Sequence, residues 1–204
     1  MQKRVITYID GFNLYFGLKS KGWKRFYWLD ARRLSLNLLR PGQVLISAKY
    51  FTAVVKESPD KQQRQKTYLE ALSTLPDFHI FYGKYQMNPR QCPRCGYQEL
   101  VPNEKMTDVN IATELLADAF QNAFDTAVIV SADSDLARSI LKVQQLFPDK
   151  TIVIAFPPGR YSSELHALVK CSFIIGRRTI GSSLFPDIVN KSNGYKLIKP
   201  QQWV

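Results

Sequence analysis

Short apolar runs that do not alternate with polar residues set what this chain can fold into. Val5-Ile6-Thr7-Tyr8-Ile9, Val44-Leu45-Ile46 with Tyr50 to Val55, Phe78-His79-Ile80-Phe81-Tyr82, Ala127-Val128-Ile129-Val130, Thr151-Ile152-Val153-Ile154-Ala155-Phe156 and a last run at 172–175 are all of strand length. A strand that is apolar on both faces is buried on both, as in a parallel sheet covered by helices. Helix-length segments separate the runs. One is predicted from about Phe12 to Lys21, stopped by Gly22, and a short one carries Leu34, Leu36, Leu38 and Leu39 up to Arg40-Pro41-Gly42. Ser58-Pro59 starts another that runs to about Ser73. Further helices are predicted over 108–123, 134–146 and 162–169; in the first, Thr107 is the cap and Val109, Ala112, Leu115, Leu116 and Ala119 form the buried stripe. Such alternation predicts an α/β fold of three layers around a mostly parallel sheet. At 204 residues the expectation is one domain over 1–176, with a packed extension over 177–204 whose Leu184, Phe185, Ile188, Leu197, Ile198 and Trp203 call for burial.

Carboxylates arrive where the runs stop. The first run ends in Asp10, and the fourth leads through Ser131 to Asp133 and Asp135. Between them, Glu104-Lys105-Met106-Thr107-Asp108 opens the long helix. Open α/β sheets place their chemistry at the carboxyl ends of strands. Carboxylates converging there repel one another unless a cation sits among them, which points to a hard, oxygen-ligated ion such as Mg²⁺ or Mn²⁺ and to metal-assisted attack on a phosphate. In Asp10-Gly11-Phe12-Asn13, Gly11 allows close backbone approach, and Asn13 brings an amide one turn into the helix. The competing reading of Asp10 is a plain helix cap. Asp133 and Asp135, two residues apart in a turn, can aim at one ion while one of them caps. Asp108 stands where the helix dipole alone favours an acid. Glu104, Glu114 and Asp118 are further candidates, but Asp108, Glu114 and Asp118 do not share one helical face.

The chain is strongly basic, with a formal net charge of +11. Lys19, Lys21, Lys24, Arg25, Arg32 and Arg33 cluster in one stretch, interleaved with Trp23, Phe26, Tyr27 and Trp28. Cations neutralise phosphates, and aromatic faces stack on unpaired bases. The plain alternative is a solvated basic face over core aromatics. A basic surface beside an acidic cluster predicts a polyanionic substrate.

Other chemistries fit less well. Neither a Gly-x-Gly-x-x-Gly nor a Gly-Lys-Ser/Thr phosphate loop occurs. His79 reads as a core histidine, and His166 lies on a short helix without a nucleophile elbow in the chain. Asp10 is followed by Gly-Phe, not by the second aspartate of a phosphatase nucleophile. Cys92-Pro93-Arg94-Cys95-Gly96 has the form of half a zinc ribbon, on an inserted hairpin or loop over about 84–105 that overhangs the acidic edge. It is either a metal-free knuckle or a Zn²⁺ site shared across a homodimer or completed by a histidine. Cys171 reads as a small buried hydrophobe. Three cysteines suit a reducing compartment. No run approaches ~20 apolar residues, and the run after Arg4 is too short for a signal peptide, so a cytoplasmic chain without a membrane span is expected.

Three motifs carry a resemblance. Tyr8-Ile9-Asp10-Gly11-Phe12-Asn13-Leu14-Tyr15, then Glu104-Lys105-Met106-Thr107-Asp108-Val109-Asn110, then Val130-Ser131-Ala132-Asp133-Ser134-Asp135-Leu136 resemble, in order and spacing, the NYN domain, a branch of the PIN-like nuclease superfamily. Leu184-Phe185-Pro186-Asp187 and Lys199-Pro200-Gln201-Gln202-Trp203 resemble the ending of bacterial members, the LabA-like group. The resemblance covers most of the chain. It implies a Rossmann-like α/β/α fold and a divalent-metal-dependent ribonuclease. Asp10, Asp108, Asp133 and Asp135 would then be the metal ligands, with Asn13 as a supporting polar residue. Members often carry glycine where Met106 and Ala132 stand. The resulting expectation is an endoribonuclease that uses one or two Mg²⁺ or Mn²⁺ ions on single-stranded RNA, held by the basic stretch 19–33. A catalytically idle RNA-binding module and a DNA nuclease of the same fold are the alternatives.

Overall fold

The apolar runs assemble into one sheet. The computed structural model describes residues 2–56 and 58–203, with backbone alone at 85–88 and 99–104. The elements are β1 (Lys3–Asp10), α1 (Gly11–Ser20), α2 (Ala31–Asn37), β2 (Gln43–Thr52), α3 (Pro59–Leu72), β3 (Phe78–Tyr82), β4 (Lys84–Gln91), β5 (Gln98–Lys105) and α4 (Thr107–Phe120). After them come β6 (Thr126–Val130), α5 (Ala137–Leu146), β7 (Thr151–Phe156), α6 (Ser163–Leu168), β8 (Cys171–Ile174), α7 (Arg177–Gly181), β9 (Ile188–Asn190) and β10 (Lys196–Ile198). Six strands run in the order β3-β2-β1-β6-β7-β8, every pairing parallel. The chain walks outward from β1 to β3, then returns to lay β6 against the other side of β1. The reversal at β1 and β6 opens a crevice at their carboxyl ends, the place where such sheets bind ligands.

Alternate residues of β1 serve two cores. Val5 and Ile9 pack with Leu14, Leu18, Trp28 and Leu34 on one face. Ile6 and Tyr8 pack with Ile111, Leu115 and Ile140 on the other. The predicted three layers follow. Among the described residues, no helix is long and apolar enough to cross a membrane.

One irregularity decides what lies beneath the crevice. Val5 pairs with Leu45, but Ile6 pairs with Ser47, so Ile46 is an extra residue in β2. The slip sets Lys49 beside Tyr8 on the face covered by α4. There the buried Lys49 Nζ donates to Glu114 Oε2 and Asp118 Oδ2, both at 2.7 Å. The Tyr8 hydroxyl donates to Asp118 Oδ2 at 2.5 Å, and burial followed by the Asp118 charge pushes that phenol well above its ordinary pKa.

Several sequence expectations need correction. On α4 the buried stripe is Ile111, Leu115, Asp118 and Ala119, while Val109 is 60% exposed. The helix is turned so that Asp108 faces the end of β1 and Asp118 faces Lys49. Thr107 is the first helical residue, and Met106 holds the cap position. His79 is exposed, because it lies on the edge strand β3. Cys171 is half-buried and accepts a hydrogen bond from Arg40 Nη2 at 2.9 Å. Phe26 and Trp28 are core residues, so their faces are closed to bases.

Beyond residue 176 the chain is sewn onto the segment after α1. The Trp28 indole N–H donates to Pro186 O at 2.8 Å, and Asp30 N–H donates to Ser183 O at 2.8 Å. Phe185, Val189 and Leu197 join the first core, with Leu184 and Trp203 packed against it. Ile188 and Ile198, expected inside, pair across the β9–β10 hairpin on its outer face. Strands β4 and β5 form a separate antiparallel pair. This hairpin leaves the end of β3 and returns at the start of α4, so it is rooted at the edge where β1 and β6 end.

Candidate metal centre

Three aspartates from three distant stretches meet in the crevice. Asp10 ends β1, Asp108 lies in the first turn of α4, and Asp133 follows β6. One carboxylate oxygen from each lies within 4.8 Å of the others; Asp10 is buried, and Asp108 and Asp133 are half-buried. At that spacing the like charges repel one another, most where burial removes the water that would screen them. Three carboxylate oxygens are hard donors, and a divalent cation with oxygen preference fits the set.

A hydrogen-bond lattice holds the group in place. Asp10 Oδ1 accepts the Asn13 N–H at 2.9 Å, which caps α1, and Asp10 Oδ2 accepts the Ser131 hydroxyl at 2.9 Å. Capping and membership of the acidic group are therefore both true of Asp10. Ser131 Oγ in turn accepts the Asp133 N–H at 3.1 Å. Asn13 Oδ1 accepts the Ala132 N–H at 3.2 Å, tying the first turn of α1 to the turn after β6. Asn13 thus positions the loop. Ser131, fully buried between the two aspartates, was not among the sequence candidates. Its signal is a hydroxyl where the apolar run ends, two residues before Asp133.

The remaining candidates fall elsewhere. Asp133 Oδ1 accepts the Asp135 N–H at 3.1 Å, and Asp135 itself is exposed and outside the group of three. Glu114 and Asp118 are bound to Lys49. The Glu104 side chain lies outside the described residues. The basic stretch divides. Lys19 and Lys21 sit at the end of α1, and Lys24 and Arg25 are exposed in the 3₁₀ turn Lys24–Phe26. Arg32 instead reaches Asp77, just before β3, with Nη2 3.8 Å from Oδ2. That is the edge where strands begin, opposite to the aspartates. Arg33 donates to Leu184 O at 3.3 Å.

Cys92 and Cys95 stand in the β4–β5 turn, half-buried and exposed. Gly96 N–H donates to Cys92 O at 2.9 Å, which closes the knuckle. Hydrogen bonds from the backbone of Arg94 and of Cys95 hold the Cys92 thiol below its usual pKa. Among the described residues, no third ligand group joins this pair.

Two backbone positions shape the centre. A Cβ on Gly11 would stand 2.6 Å from the Tyr50 ring and 2.8 Å from Phe51 O. The Tyr50 phenol is itself pushed up in pKa by burial and then by the Asp10 charge. Gly11→Ala is therefore expected to destabilise the fold by about 1–3 kcal/mol through overpacking. Urea unfolding measures this, and an unchanged midpoint would show that Tyr50 yields freely. Met106 has φ +77°, in the left-handed region, and is 44% exposed. Most L-residues pay about 1–2 kcal/mol there, so Met106→Gly is expected to stabilise by about 0.5–1 kcal/mol after the added freedom of the unfolded chain is set against it. A lowered melting temperature would show that the Met106 side chain packs to effect.

A model of the NYN domain family matches residues 4–175. Among curated proteins, the chain is 30% identical to 6-hydroxy-3-succinoylpyridine 3-monooxygenase HspA of Pseudomonas putida, over 98% of this chain and 75% of that one. Among solved structures, a protein of unknown function from Vibrio parahaemolyticus superposes with a TM-score of 0.57 at 17% identity, over 90% of this chain and 97% of the other. A likeness that distant carries the α/β fold alone.

Proposed function

The chain belongs to the NYN domain family, and on that premise we propose that it is a cytoplasmic, metal-dependent endoribonuclease of the LabA-like group. The observation that carries the reading is the convergence of Asp10, Asp108 and Asp133 at the reversal of a parallel sheet. Those three aspartates would hold Mg²⁺ or Mn²⁺, with Asp135 beside them on the solvent side. Bound there, such an ion supplies an activated water and neutralises charge on the scissile phosphodiester. The chain's own residues do the rest. Ser131 and Asn13 keep the carboxylates oriented. The cations of α1 and of the turn after it hold the flanking strand, which makes binding sensitive to salt. The β4–β5 hairpin, rooted at the same edge, adds substrate contact. Cys92 and Cys95 supply two of the four ligands Zn²⁺ takes, so a zinc-bearing form requires a homodimer or a histidine.

The test is incubation of labelled single-stranded RNA and DNA with the purified protein in Mn²⁺, Mg²⁺ or EDTA. Metal-requiring internal RNA cuts support the reading. Cuts in DNA alone move it to a DNA nuclease, and salt-sensitive RNA binding without products moves it to a binding module. A second reading comes from the Pseudomonas relative, whose name is that of a monooxygenase. It expects consumption of oxygen and a reductant in the presence of 6-hydroxy-3-succinoylpyridine. The same preparation, assayed for both activities, decides between them.

A further inference from the structure

Helix α1 begins at the metal centre and carries an aromatic stripe away from it. Phe12, Tyr15, Phe16 and Lys19 recur at three- and four-residue spacing, so they share one face. Leu14, Gly17 and Leu18 occupy the buried face. Phe12 and Phe16 stack with centroids 6.2 Å apart, and Tyr15 meets Phe16 edge-on at 5.3 Å. Even so, Phe16 is 41% exposed and Tyr15 39%. Two cations flank the Phe16 ring: Lys19 Nζ at 5.7 Å and Arg160 Cζ at 5.8 Å from its centroid.

Arg160 comes from the turn after β7, on the same sheet edge as the aspartates. Gly17 lets that turn approach, since a Cβ there would stand 2.8 Å from Pro158 O and 2.9 Å from the Pro157 side chain. A helix rises ~1.5 Å per residue, so Phe16 lies about 9 Å along the axis from Asp10, close enough for nucleotides next to the scissile one. An exposed aromatic ring attended by two cations matches the chemistry of one unpaired base and its neighbouring phosphates. Duplex offers no such base, because its faces are already stacked.

We propose that Phe16, with Lys19 and Arg160 beside it, is the stacking platform for an unpaired nucleic-acid strand that runs on into the Asp10–Asp108–Asp133 centre. Placing the scissile phosphate at that centre rests on the nuclease reading, whereas stacking on Phe16 requires no cleavage. The experiment measures fluorescence anisotropy of labelled oligo(U), oligo(dT) and duplex RNA with Asp133→Asn protein, so that the probe survives. Adding Phe16→Ala is expected to weaken single-strand binding about 5- to 150-fold, with Phe16→Trp restoring it and duplex binding unchanged. Lys19→Ala and Arg160→Ala are each expected to lower the salt slope by about 0.7. A loss on both oligonucleotides supports stacking on any base, and a loss on one supports it and names the strand. The proposal is overturned by parent-like affinity in Phe16→Ala, by a failed rescue, by equal loss on duplex, or by absence of single-strand binding. Phe16-dependent binding without cleavage by the parent protein would retire the nuclease reading alone. Cleavage without Phe16-dependent binding would retire the platform alone.

Discussion

Asp133→Asn is expected, on the proposed nuclease reading, to abolish metal-dependent cleavage while leaving the fold intact. Asp133 is one of three carboxylates within 4.8 Å, and its amide replacement keeps the shape but loses the charge that a hard cation needs. Residues that merely support metal ligands cost roughly 10- to 100-fold when removed, so loss of a ligand should exceed about a hundredfold. The backbone need not suffer, because asparagine still offers an oxygen to the Asp135 N–H. Relief of repulsion should even raise the stability of the metal-free protein slightly. Mn²⁺ at about a hundred times its dissociation constant stabilises the form that binds it by about 2.7 kcal/mol. The parent should therefore melt higher in Mn²⁺, and Asp133→Asn should not. Asp135→Asn should keep most of that shift, since the Asp135 carboxylate lies outside the group. Full activity in Asp133→Asn, or a parent whose melting ignores Mn²⁺, would remove the centre from the mechanism.

The largest effect on stability is expected at Lys49. Its ammonium is buried between Asp118 and Glu114, both at 2.7 Å, with the Tyr8 and Phe81 rings nearby. Lys49→Met leaves the Asp118 carboxylate buried without its cation, and breaking a buried pair in this way costs about 3–5 kcal/mol. Replacing both partners is different. In Lys49→Met/Asp118→Asn the new amide still accepts from the Tyr8 hydroxyl, and the more exposed Glu114 can turn to water. Most of the loss should be recovered. Urea unfolding of the parent, the single variant and the double variant measures the coupling. A single variant within about 1 kcal/mol of the parent would show that water already reaches the site.

Much of this architecture was legible in the chain. Thr151–Phe156 and Phe78–Tyr82 are strands with the predicted bounds, because continuous apolar runs of that length have few other ways to be buried. Asp10 could be placed at a strand end beside a helix start for the same reason. The rotation of α4 was not legible. Val109 and Ile111 are equally apolar, and only packing against distant segments of the chain turns Ile111 inward. The role of Glu114 and Asp118 was hidden as well, since it depends on the extra residue at Ile46 that brings Lys49 to their side of the sheet. Aromatic composition did not separate Trp28, which is core, from Phe16, which faces solvent.

The sequence by itself determined a parallel sheet with acids along its carboxyl edge, because the length of an apolar run and the residue that ends it are local properties. Tertiary structure alone decided that Asp10, Asp108 and Asp133 meet, that Asp135 stands outside them, and that Glu114 and Asp118 answer to Lys49. Those outcomes depend on strand register and helix rotation, which are set by packing between distant segments and leave no mark in any one stretch of sequence.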